Sequence, residues 1–337
     1  MTDLRSDTVT KPSAQMLDAM MSANVGDDVF GEDTSVNKLE ALTAEMFAME
    51  DGIFCPSGTM ANQIAIKCHT QPGDEIICET NSHVYIYEGG GIAFNSGCQV
   101  KPINGFRGLI NAEQVKEAIN PDDIHKAVSR LVSLENTSNR GGGSCYEFEE
   151  FLKIRELCNQ NNLALHLDGA RLWNALVASN EDPTLYGKTF NSISLCFSKG
   201  LGSPVGSVLI GKKEFIKKAR RVRKVLGGGM RQAGYLAAAG IFALQNNIER
   251  LEIDHQNAKR IAKELTLKSF VGNMLPVETN IIIFEVKDNY NPISFCKYLK
   301  DNNFLCLPIS SNQVRFVTHL DVSEDETIRL CNLIHLM

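Results

Sequence analysis

The sequence predicts an α/β protein, with a mostly parallel central sheet covered by helices and a smaller C-terminal α+β domain. Three observations predict it. Short apolar runs of strand length alternate with longer amphipathic runs, the rhythm of a covered parallel sheet. Two of those runs end abruptly on a charged residue followed by glycine. Near residue 246 the alternation gives way to a long charged helix and a different succession of elements.

The candidate strands of the first part are Glu75 to Cys78, Arg130 to Leu134, Leu163 to Asp168, Ser192 to Phe197 and Gly206 to Ile210. Between two of them, Glu147 to Asn159 reads as a helix, with Phe148, Phe151, Leu152 and Cys158 on one face. Met60 to Ile66 reads as another. Beyond the change, the expected order is helix Ile248 to Leu265, strand Asn280 to Val286, helix Ile293 to Asp301, strand Val314 to Thr318 and helix Glu324 to Leu336. The domains are drawn as residues 1–246 and 247–337. There is no internal repeat and no low-complexity tract.

Composition narrows the function classes. The chain has 337 residues, 43% of them hydrophobic and 22% charged, as in ordinary globular proteins. A net charge of -6 argues against general affinity for nucleic acid, which needs a basic surface. The basic helix Lys212 to Lys224 therefore reads as a solvated face or an oligomer contact. The ten cysteines are scattered and form no CxxC pair, so they read as reduced core residues rather than a disulfide or zinc framework, and no metal site is expected. The polar start MTDLRSDTVT lacks the apolar core of a signal peptide, and no apolar stretch is long enough for a bilayer; a cytoplasmic location is the expectation.

The chemistry concentrates at strand ends, where α/β sheets collect ligands. Asp168 closes LALHLD and opens Asp168-Gly169-Ala170-Arg171. Lys199 follows SISLCFS and opens Lys199-Gly200-Leu201-Gly202. A lysine and an acid so placed suit the two ends of pyridoxal phosphate: the amine for a Schiff base, the carboxylate to keep the ring nitrogen protonated. The plainer readings are a solvated lysine and a helix-capping aspartate. Gly200 and Gly202 favour close approach of backbone to a ligand. As a dinucleotide loop, Gly200, Gly202 and Gly206 have the wrong spacing.

Upstream, Ser57-Gly58-Thr59 precedes a helix and suits an anion, through two hydroxyls, a glycine and the helix amides, although such a triplet is also an ordinary N-cap. His83 sits before Gly89-Gly90-Gly91, which implies a tight turn or close ligand approach; its imidazole suits stacking on an aromatic cofactor or proton transfer, or a structural hydrogen bond. His125 is a further candidate, whereas His166, inside a strand, reads as core. Arg171 and Arg315 are candidates for a carboxylate clamp. Alternation in Val314 to Thr318 otherwise turns Arg315 to solvent.

Taken together these segments are no longer independent. The chain resembles the low-specificity L-threonine aldolases, in the β-eliminating lyase group of fold-type I pyridoxal-phosphate enzymes. The resemblance covers almost the whole length. It is carried by Leu4-Arg5-Ser6-Asp7-Thr8-Val9-Thr10, Pro56-Ser57-Gly58-Thr59-Met60-Ala61-Asn62-Gln63 and Leu134-Glu135-Asn136-Thr137. It is strongest in Asp168-Gly169-Ala170-Arg171-Leu172-Trp173-Asn174 and Cys196-Phe197-Ser198-Lys199-Gly200-Leu201-Gly202.

The resemblance implies a fold-type I architecture and roles for residues. Lys199 would carry the cofactor's aldehyde, Asp168 would pair with the pyridine nitrogen, and His83 would stack on the ring. Ser57, Gly58 and Thr59 would hold the phosphate, with Arg231 assisting from a neighbouring subunit. Ser6, Arg171 and Arg315 would grip an amino-acid carboxylate, and His125 would enter from a partner chain of a homotetramer or homodimer. Cleavage of L-threonine or L-allo-threonine to glycine and acetaldehyde follows, the base being His83, His125 or a water between them. The chain departs from the family pattern at Phe30, Thr34 and Ser138, where tyrosine, proline and histidine are usual. These departures leave the cofactor residues intact and bear on the substrate pocket.

Two rival readings use the same residues. A transaminase, racemase or other β-eliminating lyase would keep Lys199 and Asp168 and break a different bond. A non-catalytic protein on the same fold would have no need to retain the lysine, the aspartate and the phosphate cup together.

Overall fold

The computed structural model describes residues 1–337 and shows two main sheets of different character, beside one two-stranded pair. The N-terminal strand β1 (Thr2–Asp3) belongs to neither. The larger sheet comprises β2 (Asp51–Cys55), β3 (Glu75–Glu79), β4 (Gln99–Ile103), β5 (Ser129–Glu135), β6 (Ala164–Gly169), β7 (Ser192–Cys196) and β8 (Ser207–Gly211), in the order β2-β8-β7-β6-β5-β3-β4. From β7 to β4 every pairing is parallel; β8 alone runs against both its neighbours. The expected covered, mostly parallel sheet is therefore present. Two of its strands, β2 and β4, are additional to those read from the sequence.

The inner strands are buried on both faces, and their side chains divide by the two-residue period. Leu165, Leu167, Ile193 and Leu195 face the main core with Phe197 and Trp173. The alternate positions are polar and equally buried: Ser133, Glu135, His166, Asp168, Ser192 and Ser194. Register aligns them across the sheet, with Glu135 beside Asp168 and Asp168 beside Ser194. A polar row on a buried sheet face must find partners, and His166, Asp168, Ser192 and Ser194 find them on the helix Gly58–His69 laid across it, through Asn62 and His69.

The helix Phe148–Gln160 buries Phe151, Ile154 and Cys158. Leu152, expected on that face, is instead half exposed: it lies one residue, about 100° of helical turn, from Phe151. Ile154 takes its place.

The smaller sheet is antiparallel and contains β9 (Val271–Met274), β10 (Ile281–Val286), β12 (Leu307–Pro308) and β13 (Gln313–Val317), in the order β12-β13-β10-β9. β11 (Phe304–Leu305) pairs instead with β1, in parallel. Leu4 is buried among Phe284, Phe295 and Phe316 of this second core, and its carbonyl accepts from the Val317 amide at 2.9 Å. The N-terminal arm is thus anchored on the smaller sheet and delivers Ser6 and Asp7 to the seam between the two sheets. No helix is long and apolar enough to cross a membrane.

Candidate functional site

The site forms where β6 and β7 end. Asp168, the penultimate residue of β6, is 2% exposed. Its Oδ1 accepts from the Ala170 amide at 3.1 Å, and its Oδ2 accepts from Asn62 Nδ2 at 2.8 Å. The amide of Asn62 is held in that orientation. Its Oδ1 accepts from the Ser194 hydroxyl at 2.6 Å and lies 3.2 Å from His166 Nε2, while its Nδ2 also donates to Glu88 Oε1 at 2.9 Å. His166 is core, as expected; burial pushes its ring down to about 4, so it stays neutral.

Glu88 extends the chain of contacts to His83. Its Oε1 lies 3.0 Å from His83 Nδ1, and its Oε2 accepts from Gln63 at 2.7 Å. The His83 amide donates to Glu135 at 2.8 Å. Burial opposes a charge on His83, but the Glu88 hydrogen bond and the carboxylates of Asp168 and Glu88 outweigh it and raise the ring's pKa. Burial and the neighbouring Asp168 raise that of Glu135. Gly89 and Gly90 take φ values of +62° and +74°, so the triple glycine is a tight turn; Gly91 makes room for the side chain of Gln63.

Two cavities meet at Lys199 and His83, which line both. The inner one, about 200 Å³, runs from Ser57, Gly58 and Thr59 to Asp168. Ser57 is an N-cap, its Oγ accepting from Met60 at 3.1 Å. It also begins a helix whose Gly58 and Thr59 amides have no partner within the helix and border the cavity. A Cβ at Gly58 would fall 2.6 Å from Cys196 Sγ, so this glycine lets the helix start sit on β7. An anion-ready helix end, a lysine amine and a buried carboxylate around one cavity fit pyridoxal phosphate.

The glycines after Lys199 have another reason. A Cβ on Gly200 or Gly202 would meet Leu251 or Leu320, at 2.9 and 2.7 Å, so they permit close packing between protein segments.

The outer cavity, about 580 Å³, includes Ser6, Arg171 and Arg315 in its wall. Arg171 donates from Nε and Nη2 to the two oxygens of Asp7, at 2.8 and 2.7 Å, leaving Nη1 without a protein acceptor. Although burial favours its neutral form, Arg171 holds the Asp7 carboxyl down to about 2. Arg315 is not turned to solvent. Val314 and Phe316 fill the second core, and the alternate face of β13 looks back toward the larger sheet. Arg315 donates to Asn139 Oδ1 at 2.8 Å and to the Arg5 carbonyl at 2.9 Å, while its buried Nε has no partner. Burial and the charges of Arg171 and Arg140 bring its pKa down to about 10. A site with this excess of guanidinium suits a carboxylate.

His125 and Arg231 lie elsewhere. The exposed His125 ring contacts Asp123, and Arg231 Nη1 pairs with Asp27 at 2.9 Å. Asn62, Glu88, Glu135 and Asp7 received no role from the sequence. Only Glu135 carried a signal, as a polar residue two positions after Ser133 in a strand otherwise apolar enough to be buried; Asn62 lies on a helix, Glu88 in a bend and Asp7 in the N-terminal arm, where no periodicity marks them.

The model of the beta-eliminating lyase family matches residues 3–289. The low specificity L-threonine aldolase of Escherichia coli (strain K12) is 44% identical over 327 residues, 97% of this chain and 96% of that protein. The probable low-specificity L-threonine aldolase 2 of Arabidopsis thaliana is 40% identical over 329 residues, 96% of this chain and 93% of that protein. Among solved structures, the Leishmania major threonine aldolase superposes with a TM-score of 0.86 at 21% identity, covering 99% of this chain and 98% of that one, a likeness of fold. The match along most of the length, together with relatives this similar over nearly their whole chains, places the chain in the beta-eliminating lyase family, among sequences similar to low-specificity L-threonine aldolases.

Proposed function

We propose that the protein is a pyridoxal-phosphate-dependent aldehyde-lyase that cleaves L-threonine, L-allo-threonine and related β-hydroxy-α-amino acids to glycine and an aldehyde. The observation that carries this reading is the meeting of the two cavities at Lys199 and His83. One cavity has the chemistry of the cofactor's two ends, and the other has a carboxylate clamp.

Pyridoxal phosphate, when bound, supplies an aldehyde that condenses with amines and a ring that accepts electrons from a breaking bond. Ser57, Gly58 and Thr59 would hold its phosphate, and Asp168, oriented by Asn62, would hold the proton on its ring nitrogen. Lys199 would supply the amine that holds the cofactor's aldehyde. Arg171, through its free Nη1, and Arg315 would hold the substrate carboxylate from the cavity wall, and Ser6 stands beside them. Fixing that carboxylate orients the substrate about its Cα and so selects which bond faces the electron sink. Glu88 on Nδ1 leaves His83 Nε2 as the nitrogen available to take the proton from the β-hydroxyl.

His125 and Arg231 belong to this proposal through assembly, in a cytoplasmic homotetramer or homodimer whose sites are shared. A purified sample should absorb in the near-visible and release equal amounts of glycine and acetaldehyde from L-threonine. Lys199→Ala should abolish both the absorbance of the lysine adduct and turnover. Keto-acid or ammonia release in place of glycine would sink the assignment.

A further inference from the structure

Outside the site, one pair of nucleophilic side chains stands in contact. Cys306 Sγ donates to Cys296 Sγ at 3.2 Å, and no other two sulfurs of the ten free cysteines make such a contact. Cys296 lies on the helix Pro292–Asp301 and is partly exposed. Cys306, 8% exposed, is the single residue between β11 and β12. We propose that Cys296 and Cys306 are a reversible oxidation site whose disulfide restrains one wall of the outer cavity.

The position gives the modification its consequence. The three residues after Cys306 (Leu307, Pro308 and Ile309) line the outer cavity, and Leu307 is the register partner of Arg315. On its other side, Leu305 pairs with Asp3, at the root of the arm that carries Ser6 and Asp7. Closing a bond of about 2.05 Å from a contact of 3.2 Å requires a shift of about 1 Å. That shift falls on a two-residue strand bordering the cavity.

The chemistry is asymmetric. The S–H of Cys306 favours a thiolate on Cys296 and lowers its pKa, while the same contact and burial raise that of Cys306. The more exposed Cys296 therefore attacks a hydroperoxide first. One peroxide oxygen bonds to Cys296 Sγ as the O–O bond breaks, giving a sulfenic acid and, from hydrogen peroxide, one water. Cys306 Sγ then attacks Cys296 Sγ, and the sulfenic hydroxyl leaves with the Cys306 proton as a second water. The two thiols lose two electrons, which the peroxide gains; a dithiol reverses the change by exchange.

The test begins with a mass measurement that does not depend on the proposed activity. The native protein is treated with a small excess of hydrogen peroxide, then unfolded in urea, blocked with an alkylating agent and digested with trypsin. Cleavage after Lys287, Lys297, Lys300 and Arg315 separates Cys296 (residues 288–297) from Cys306 (residues 301–315). The expected result is these two peptides joined, with two fewer alkylatable thiols than the ten of untreated protein, all restored by dithiothreitol. In a portion of the same sample kept folded, KM for threonine should rise, by up to about 100-fold, the scale of a 1 Å misplacement. Cys296→Ala should retain full thiol reactivity elsewhere and show no change of KM with peroxide. Ten unchanged thiols, over-oxidation of Cys296, or a link to another cysteine would overturn the site. A link formed without any change in KM would overturn its coupling to the cavity, a coupling that rests on the reading of that cavity as the substrate chamber.

Discussion

Asn62 Nδ2 lies 2.8 Å from Asp168 Oδ2, and the same nitrogen lies 2.9 Å from Glu88 Oε1. One amide therefore separates two buried carboxylates, and through Glu88 it reaches His83. Because Ser194 and His166 occupy the Asn62 carbonyl, the amide cannot turn over without withdrawing its donor from both acids.

Asn62→Asp keeps the shape and replaces the donor with a third carboxylate between two others. We expect the cofactor to be held at least about 10-fold less tightly, equivalent to about 1.4 kcal/mol. Absorbance after dialysis against graded concentrations of pyridoxal phosphate measures this. Unaltered retention would show that Asp168 needs no such orientation.

The Arg315 fork is the most exposed part of the clamp to a conservative change. Arg315→Lys keeps a charge and loses the planar donors that meet Asn139 and the Arg5 carbonyl. KM for threonine should rise about 10- to 100-fold with kcat little changed, the signature of lost uniform binding. A fall in kcat at constant KM would place Arg315 in the chemical step instead.

Asp7 ties the N-terminal arm to Arg171 in a fully buried ion pair. Asp7→Asn leaves the guanidinium without its counter-charge, and we expect destabilisation of about 3–5 kcal/mol, read from urea midpoints. Its folded pKa of about 2 lies below the ordinary value of 3.8. The pair's contribution is thus complete above about pH 4 and is lost as pH falls toward 2. The variant's stability should be flatter with pH across that window.

Buried histidines set the acid limit at milder pH. Burial holds His166 and His255 down to about 4, against 6.5 for a free ring. Between those values the unfolded chain binds protons that the native one refuses. Stability is therefore full above pH 6.5 and declines as pH falls toward 4, by about 1–2 kcal/mol per ring at pH 5. Melting temperatures at pH 7.5 and 5.0 test the decline, and His255→Gln should reduce it.

Much of the larger sheet was legible because its inner strands are apolar enough to stand out without tertiary information. Asp168 and Lys199 were legible because each breaks such a run. β2, no shorter than β3, β7 and β8, was hidden by opening on Asp51 and Gly52, which leaves only three apolar residues in a row. β4 was hidden because an edge strand tolerates Lys101 and Pro102, which no inner strand would.

Periodicity determined which residues share a face; only the tertiary structure decided what each face meets. Arg315 alternates with core residues in either case, but the packing of two sheets makes its face a cavity wall rather than a solvent boundary. Asn62, Glu88 and Asp168 are far apart in sequence, and it is the helix Gly58–His69 crossing the polar row of the parallel sheet that brings them within hydrogen-bond distance. By itself, the sequence determined the fold class, the lysine and the acid. The crossing of the helix over the sheet and the anchoring of the N-terminal arm determined their partners, because contacts between distant segments depend on how whole elements pack.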